Sequence, residues 1–316
     1  MKSNDVDVKA QGLAVALFVY RRPHHTQKVL SSLAKCRGSN FVDLTIFSDG
    51  QRDLASQDSV REVREVCQDF QGAFRSATIY ESETNLGLAS SVIQGVSEVL
   101  KKHGDLAVLE DDTEVSPTFV EYMRLMLDNY RLDPGVMSIS GYQFPPRTVP
   151  IPRNFHWDAY LSARCSSWGW GTWRDRWVTA EWDTTKLLEE IQEPKHADFL
   201  AEAGGDFMSM LKQQDRGDID SWAVRFGASH IIQGRRCVYP RKTLIRNLGL
   251  DGSGEHCSEL TWLRHHNLES WLPEKLPPSS LVDDGLSRQP GRAFSGDSSR
   301  LARLQRKLQR ARAKMT

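Results

Sequence analysis

The chain has 316 residues, 39% of them hydrophobic and 26% charged, which is enough for one large α/β domain or two small ones around a buried core. Lys plus Arg and Asp plus Glu both number 41, so no net field selects nucleic acid or membrane as a partner, although residues 298–316 carry seven basic side chains and no acidic one. Five scattered cysteines, none in a CxxC pair, argue against a disulfide framework or zinc site. The longest apolar run is too short to span a bilayer, and the polar first ten residues do not read as a secretory signal, so a cytoplasmic protein is expected.

Residues 13–20 (LAVALFVY) form a continuous apolar run, the pattern of a strand buried on both faces. Leu30, Leu33 and Ala34 then share one helical face. A second apolar run, 41–47, ends at the turn Ser48-Asp49-Gly50. Val60, Val63, Cys67 and Phe70 recur at helical spacing, residues 77–80 read as a third strand, and Leu88, Val92, Val96, Val99 and Leu100 mark the next amphipathic helix. The fourth strand is 105–109. Alternation of strand and helix through the first 110 residues predicts a parallel sheet with helices on both faces, where ligands bind beyond the carboxyl ends of the strands.

Beyond residue 115 the spacing predicts a helix over 117–130 and a strand over 136–140. Trp170, Trp173 and Trp177 fall at i, i+3 and i+7, which reads as a helical packing stripe, while Trp168 sits in a loop before it, where its flat face suits an apolar sugar face. Residues 273–297, rich in Pro, Ser, Gly and Asp, read as a linker. The final segment, 298–316, places Leu301, Leu304, Leu308, Ala311 and Met315 on one stripe flanked by Arg and Lys. It suits membrane-surface contact, self-association or a solvated tail.

The chemistry concentrates at Glu110, Asp111 and Asp112, which directly follow the fourth strand. Three adjacent carboxylates repel one another and call for a compensating cation. A hard divalent ion bound through few carboxylates and substrate phosphates meets that need, and it would neutralise a departing diphosphate. The alternative is a solvated acidic turn that caps the following helix.

Seven segments in order, FVYRRPHHTQKVLSSL (18–33), IFSDG (46–50), NLGLASSVIQGV (85–96), LEDDTEVSPTFVEYM (109–123), SSWGWGTWRDRW (166–177), DIDSWAVR (218–225) and RNLGLDGSGEHC (246–257), resemble the GT-A glycosyltransferases, in particular bacterial family 2-like enzymes related to N-acetylglucosaminyltransferase I. The resemblance implies a Rossmann-like mixed sheet with helices on both faces over residues 10–272, followed by the linker and a basic C-terminal helix. Residues 10–115 would form the nucleotide-binding half and 116–272 the acceptor-binding half. It further implies an inverting transfer of a sugar from a nucleoside diphosphate, UDP favoured, to a saccharide or lipid-linked saccharide in surface polysaccharide or lipopolysaccharide synthesis.

Carried onto this sequence, the resemblance makes Asp112 the metal ligand for Mn2+ or Mg2+. It sets Asp111 near the donor ribose and sugar, with Glu110 accepting hydrogen bonds close by. Asp49 would read the nucleobase or ribose edge, unless it only builds an Asp-Gly turn. Arg22 follows the first strand, where a guanidinium suits phosphate or a planar base. Asn85 and Gly87 precede a helix and serve the donor or simply cap and bend the chain. Asp220, with Asp218 as its rival, would be the base that takes the acceptor proton, one base sufficing for inversion; its alternative role is a helix cap. Asn247, Ser253 and His256 lie in a glycine-rich loop of the kind that closes over a diphosphate, His256 as a second metal contact or a solvated loop histidine. The competing functions are a sugar-1-phosphate nucleotidyltransferase, which would want a Gly-rich loop where RRPHHT stands, and a non-catalytic sugar-nucleotide scaffold.

Overall fold

Every residue of β1 (Leu13–Val19) is buried, and alternate side chains enter different layers. Val15, Leu17 and Val19 pack with Val29, Leu30 and Leu33 of α1 (Pro23–Ala34), whereas Ala14, Ala16 and Phe18 pack with Val92 and Val96 of α3 (Leu88–Lys102). A strand covered on both faces has no position for a polar residue, hence the unbroken apolar run. Each such Leu or Val contributes about 1.5–3 kcal/mol by burial. A computed structural model describes residues 12–251, 263, 268 and 270–295. In its first half, β2 (Val42–Ser48), α2 (Gln57–Asp69), β3 (Ser76–Glu81) and β4 (Asp105–Glu110) complete the expected alternation. β1 pairs in parallel with both β2 and β4, and β2 with β3, so four strands end along one edge of the sheet.

The second half adds β5 (Thr113–Val115), α4 (Phe119–Asn129), β6 (Val136–Ser140), β7 (Ala159–Ser162), β8 (Trp170–Trp173) and α5 (Arg174–Trp177). α6 (Thr184–Ile191), α7 (Ala197–Ala203), α8 (Phe207–Asp215) and α9 (Trp222–Ile232) then form a small helical layer with its own apolar cluster, followed by β9 (Arg236–Pro240) and β10 (Ile245–Asn247). Among the described residues one eight-stranded mixed sheet runs in the order β3-β2-β1-β4-β8-β6-β9-β7, with helices on both faces, and β10 and β5 make a separate two-stranded ribbon. The mixed α/β architecture expected above is therefore present.

Two expectations are corrected. Trp170 and Trp173 lie on strand β8, antiparallel to β4, and not on a helix. A separation of three puts side chains on one helical face but on opposite faces of a strand. Trp170 stacks on Trp222 with ring centroids 4.8 Å apart, while Trp173 enters the other layer and donates its indole N–H to the Leu127 carbonyl at 3.0 Å. Trp170, Trp173 and Trp177 do all pack the core. Residues 273–295 are likewise not a free linker. They pack along edge strand β7 and carry α10 (Asp284–Ser287) and α11 (Gln289–Ser295). Tyr130 donates to the Pro277 carbonyl at 2.6 Å, Ser162 to the Ser287 carbonyl at 2.6 Å, and Leu286 is buried. The polar composition of this segment conceals backbone carbonyls that serve buried hydroxyls at the end of α4 and on β7.

Candidate active site

The register of the central strands brings the polar turns together. Phe18 pairs with Glu110 across β1 and β4, and Val19 with Ser48 across β1 and β2, so the chain leaves all three strands at one level. The resulting cleft, of about 290 Å³, is lined by Arg22, Asp49, Asn85, Gly87, Glu110, Asp111, Asp112, Trp168 and Asn247. Phe18 and Phe47 line it too, stacked at 5.1 Å, with Tyr80 stacked on Phe47 at 5.3 Å. Sequence reasoning missed this aromatic run, and also Arg52, Leu88 and Ser91. Its signal was the in-register alignment of Phe18, Phe47 and Tyr80 on three parallel strands.

The counter-ion of the acidic turn is Arg22. Pro23 opens α1 immediately after it and fixes its direction, and its guanidinium donates to Asp111 and, at 3.1 Å, to Asp112 Oδ2. Asp111 and Asp112 are only 5% and 7% exposed. Burial opposes charge on Arg22, yet the two carboxylates outweigh it and hold the guanidinium protonated above its ordinary range. Burial raises the Asp112 carboxyl against the pull of Arg22. Burial and then the charges of Asp112 and Asp111 push Glu110 up to about 8, opposed by Arg22 and a hydrogen bond from the Trp222 indole.

Arg22 satisfies this turn only in part. Asp112 Oδ1 is buried and has no hydrogen-bond partner among the described residues, and the same holds for the Asn247 Oδ1. Asn247 is 4% exposed and reaches the site on β10, where it pairs with Thr113 of β5, while the Leu248 N–H donates to the Asp112 carbonyl at 2.7 Å. The space between is kept by Gly249. A methyl group there would lie 2.7 Å from Asp112 Oδ2, 3.2 Å from Asn247 Oδ1 and 3.3 Å from Arg22 Nη1. The orphaned Asn247 Oδ1 and the Asp112 carboxylate, whose other oxygen is the second orphan, flank this gap and fit a hard divalent cation. Among the described residues no group of three or more His, Cys, Asp or Glu converges as a ligand set.

Asp49 lies in the cleft but its carboxylate is already engaged. Oδ1 accepts from the Gly50 N–H at 2.9 Å and the Leu86 N–H at 2.8 Å, and Oδ2 from Asn85 Nδ2 at 3.0 Å and the Gly87 N–H at 3.1 Å. An ionised carboxylate offers about four acceptor sites, and all four are taken. Asp49 thereby holds the loop before α3 in place. Asn85 belongs to that latch and does not cap α3, which Gly87 precedes at φ +77°, a left-handed conformation suited to glycine.

Asp220 is not the cap of α9 either. Ser221 caps it, accepting from the Val224 N–H at 3.3 Å. Asp220 is exposed, pairs with Arg225 at 3.2 Å, and its Oδ2 lies 3.3 Å from where a Gly87 methyl would stand, at the rim of the cleft. Asp218 pairs with Arg216 on an exposed turn, and neither it nor Asp220 is among the residues that line the cleft. Trp168 meets Tyr142 edge-on at 4.7 Å. Ser253, His256 and the basic segment 298–316 lie outside the described residues.

No family profile matches the chain, and no curated protein does. Among solved structures it is similar to residues 1–349 of S. aureus TarS in complex with UDP-GlcNAc, with 12% identity over 79% of this chain and 61% of that one and a TM-score of 0.45. It is also similar to the mannosyltransferase PcManGT of Pyrobaculum calidifontis in complex with GDP-Man and Mn2+, with 12% identity over 71% and 75% and a TM-score of 0.38. A third is the galactosyltransferase LgtC with donor and acceptor sugar analogs, with 8% identity over 72% and 73% and a TM-score of 0.37. The chain spans about three fifths of the TarS fragment. At such distance these likenesses fix neither substrate nor chemistry.

Proposed function

We infer that the chain is a glycosyltransferase that takes a sugar from a nucleoside diphosphate and delivers it with inversion to an acceptor hydroxyl. The observation that carries this reading is the pair of buried oxygens, Asp112 Oδ1 and Asn247 Oδ1, left without donors at the edge of an aromatic-floored cleft. Buried acceptors are ordinarily paired, so two together call for a cation, and so small a protein ligand set calls for phosphate oxygens beside it. A divalent ion bound there, Mn2+ or Mg2+, would supply Lewis-acid neutralisation of the departing diphosphate.

The chain's own residues do the rest. Asp112 and Asn247 hold the cation, and Arg22 presents a fork to phosphate. Phe18 and Phe47 offer an apolar floor, the Asn85–Gly87 loop a wall pinned by Asp49, and Trp168 a face for the sugar. Asp220 takes the acceptor proton as the acceptor oxygen bonds to the anomeric carbon, and the bond to the diphosphate breaks with its electron pair on the leaving oxygen. Its place beside Gly87, which lines the cleft, favours Asp220 over Asp218. A uridine diphosphate sugar is the first donor to test, with a saccharide or lipid-linked saccharide as acceptor. Residues 10–115 would bind the nucleotide and 116–272 the acceptor, and the basic segment 298–316 would contact membrane or a second copy. No helix among the described residues is long and apolar enough to cross a membrane.

A thermal-shift panel of nucleoside diphosphates and their sugars, with Mn2+ or with EDTA, tests the reading, because binding to the folded state raises the melting temperature by mass action. One nucleotide should give a metal-dependent shift. Asp220→Asn should keep that shift yet lose about a hundredfold or more in sugar transfer, whereas Asp218→Asn should keep both. Equal shifts in EDTA, or no shift with any nucleotide, would sink it.

A further inference from the structure

The guanidinium of Arg22 and a divalent cation compete for one place. Arg22 bridges Asp111 and Asp112, and its Nη1 lies 3.3 Å from the point above Gly249 that is also 2.7 Å from Asp112 Oδ2 and 3.2 Å from Asn247 Oδ1. Two positive charges cannot share so small and so buried a gap without strong repulsion. Yet the resident guanidinium serves the site incompletely, since it engages Asp112 through Oδ2 alone and leaves Asp112 Oδ1 and Asn247 Oδ1 without a donor. Leaving the carboxylates would strand Arg22 unless another anion received it, and the cleft that Arg22 lines is where a diphosphate would enter.

We propose that Arg22 is an exchangeable counter-ion: it occupies the acidic turn until a nucleoside diphosphate binds, then transfers its guanidinium from Asp112 to a phosphate and so opens the Asp112–Asn247 cradle to a divalent cation. Cation uptake is thereby made conditional on the nucleotide, and a metal ion alone is refused. This rests on the diphosphate reading given above and goes beyond it by assigning the order in which the partners enter. Arg22 is a positioning residue for the cation as well as a phosphate contact.

The test follows free Mn2+ by electron paramagnetic resonance in the full chain, with Mn2+ alone and with UDP, GDP, CDP or dTDP, in the unmodified protein and in Arg22→Gln and Arg22→Lys. The unmodified protein should bind Mn2+ about tenfold or more tightly with one of the diphosphates than without any. Arg22→Gln should bind Mn2+ alone about tenfold more tightly than the unmodified protein does, while nucleotide phosphates still add to its affinity by completing the shell. Arg22→Lys, whose single ammonium cannot bridge Asp111 and Asp112, should fall between the two. Arg22→Gln taking up Mn2+ alone no better than the unmodified protein overturns the exchange. Should Arg22→Gln melt below the assay temperature, Arg22→Lys decides the matter, and behaviour identical to the unmodified protein counts against the proposal. If no diphosphate promotes Mn2+ uptake by any variant, the diphosphate reading itself fails and the exchange with it; nucleotide-promoted uptake of equal size in the unmodified protein and in both variants, with no gain in uptake of Mn2+ alone, removes the exchange alone.

Discussion

Strand β4 carries acidic residues at both ends, and the two ends are built on opposite principles. At its start, Asp105 accepts from Arg124 at 2.9 and 3.1 Å and from Arg131, while Asp128 accepts from Arg124 at 2.9 and 2.6 Å. Two carboxylates meet two guanidiniums, and neither Asp has an oxygen among the buried orphans. At its end, three carboxylates meet one guanidinium and an oxygen stays unpaired. The first arrangement is complete in itself. The second is complete only with something added, and that incompleteness, more than the density of charge, marks a binding site.

The comparison breaks if removing charge has the same effect at both ends. Asp112→Ala should reduce sugar transfer about a thousandfold and abolish the metal-dependent nucleotide shift, while the protein melts no lower than before. Burial already disfavours the ionised Asp112 in the folded state, so its loss spares a strained charge. A lower melting temperature together with intact transfer would reverse the assignment of the two ends.

Arg124→Met should do the converse. It leaves the buried Asp105 and the half-buried Asp128 with too few donors and lowers unfolding stability by about 3–5 kcal/mol in urea titration, yet the nucleotide shift persists at temperatures where the variant is folded.

His230 sharpens the contrast because it is satisfied with no charge at all. Fully buried, it donates from Nδ1 to the Phe226 carbonyl at 2.8 Å and accepts at Nε2 from Ser138 at 2.8 Å. Burial lowers it from 6.5 to about 4. The unfolded chain therefore takes up the proton first as pH falls. The stability present above pH 6.5 declines toward pH 4, by roughly 3 kcal/mol in all. Urea midpoints measured across that range should slope accordingly, and His230→Gln should flatten the slope.

The smallest effect belongs to Asp49→Asn. An amide there turns one acceptor into a donor facing the Asn85 amide and the Gly87 N–H. Stability should fall by about 1–2 kcal/mol, and the Leu86 and Gly87 amides should exchange hydrogen faster in the nucleotide-free protein. Unchanged exchange combined with an altered base preference would return Asp49 to the role of base reader.

Much of this was legible in the sequence where the signal is local. The apolar run at 13–20 and the helical repeats of Val60 and Val92 gave the parallel half, and the strand ends then pointed to Arg22 and to Glu110–Asp112. What stayed hidden depends on pairing across distance. Nothing near Asp111 announces that Arg22 will neutralise it, and nothing near Asn247 that β10 will lay it beside Asp112. The spacing of Trp170 and Trp173 fits two geometries, and only the neighbouring strands choose between them. The Asp49-Gly50 turn motif was visible, but the loop whose donors exhaust the Asp49 carboxylate arrives later in the chain.

Arg22 and the acidic turn both belong to the part of the chain synthesised first, whereas Asn247 and Gly249 emerge from the ribosome much later. The nascent parallel half can thus close with Arg22 already bridging Asp111 and Asp112. Only when β10 docks onto β5 does the second oxygen arrive. Translation order thus delivers the second cation ligand only after the guanidinium is available to its carboxylates.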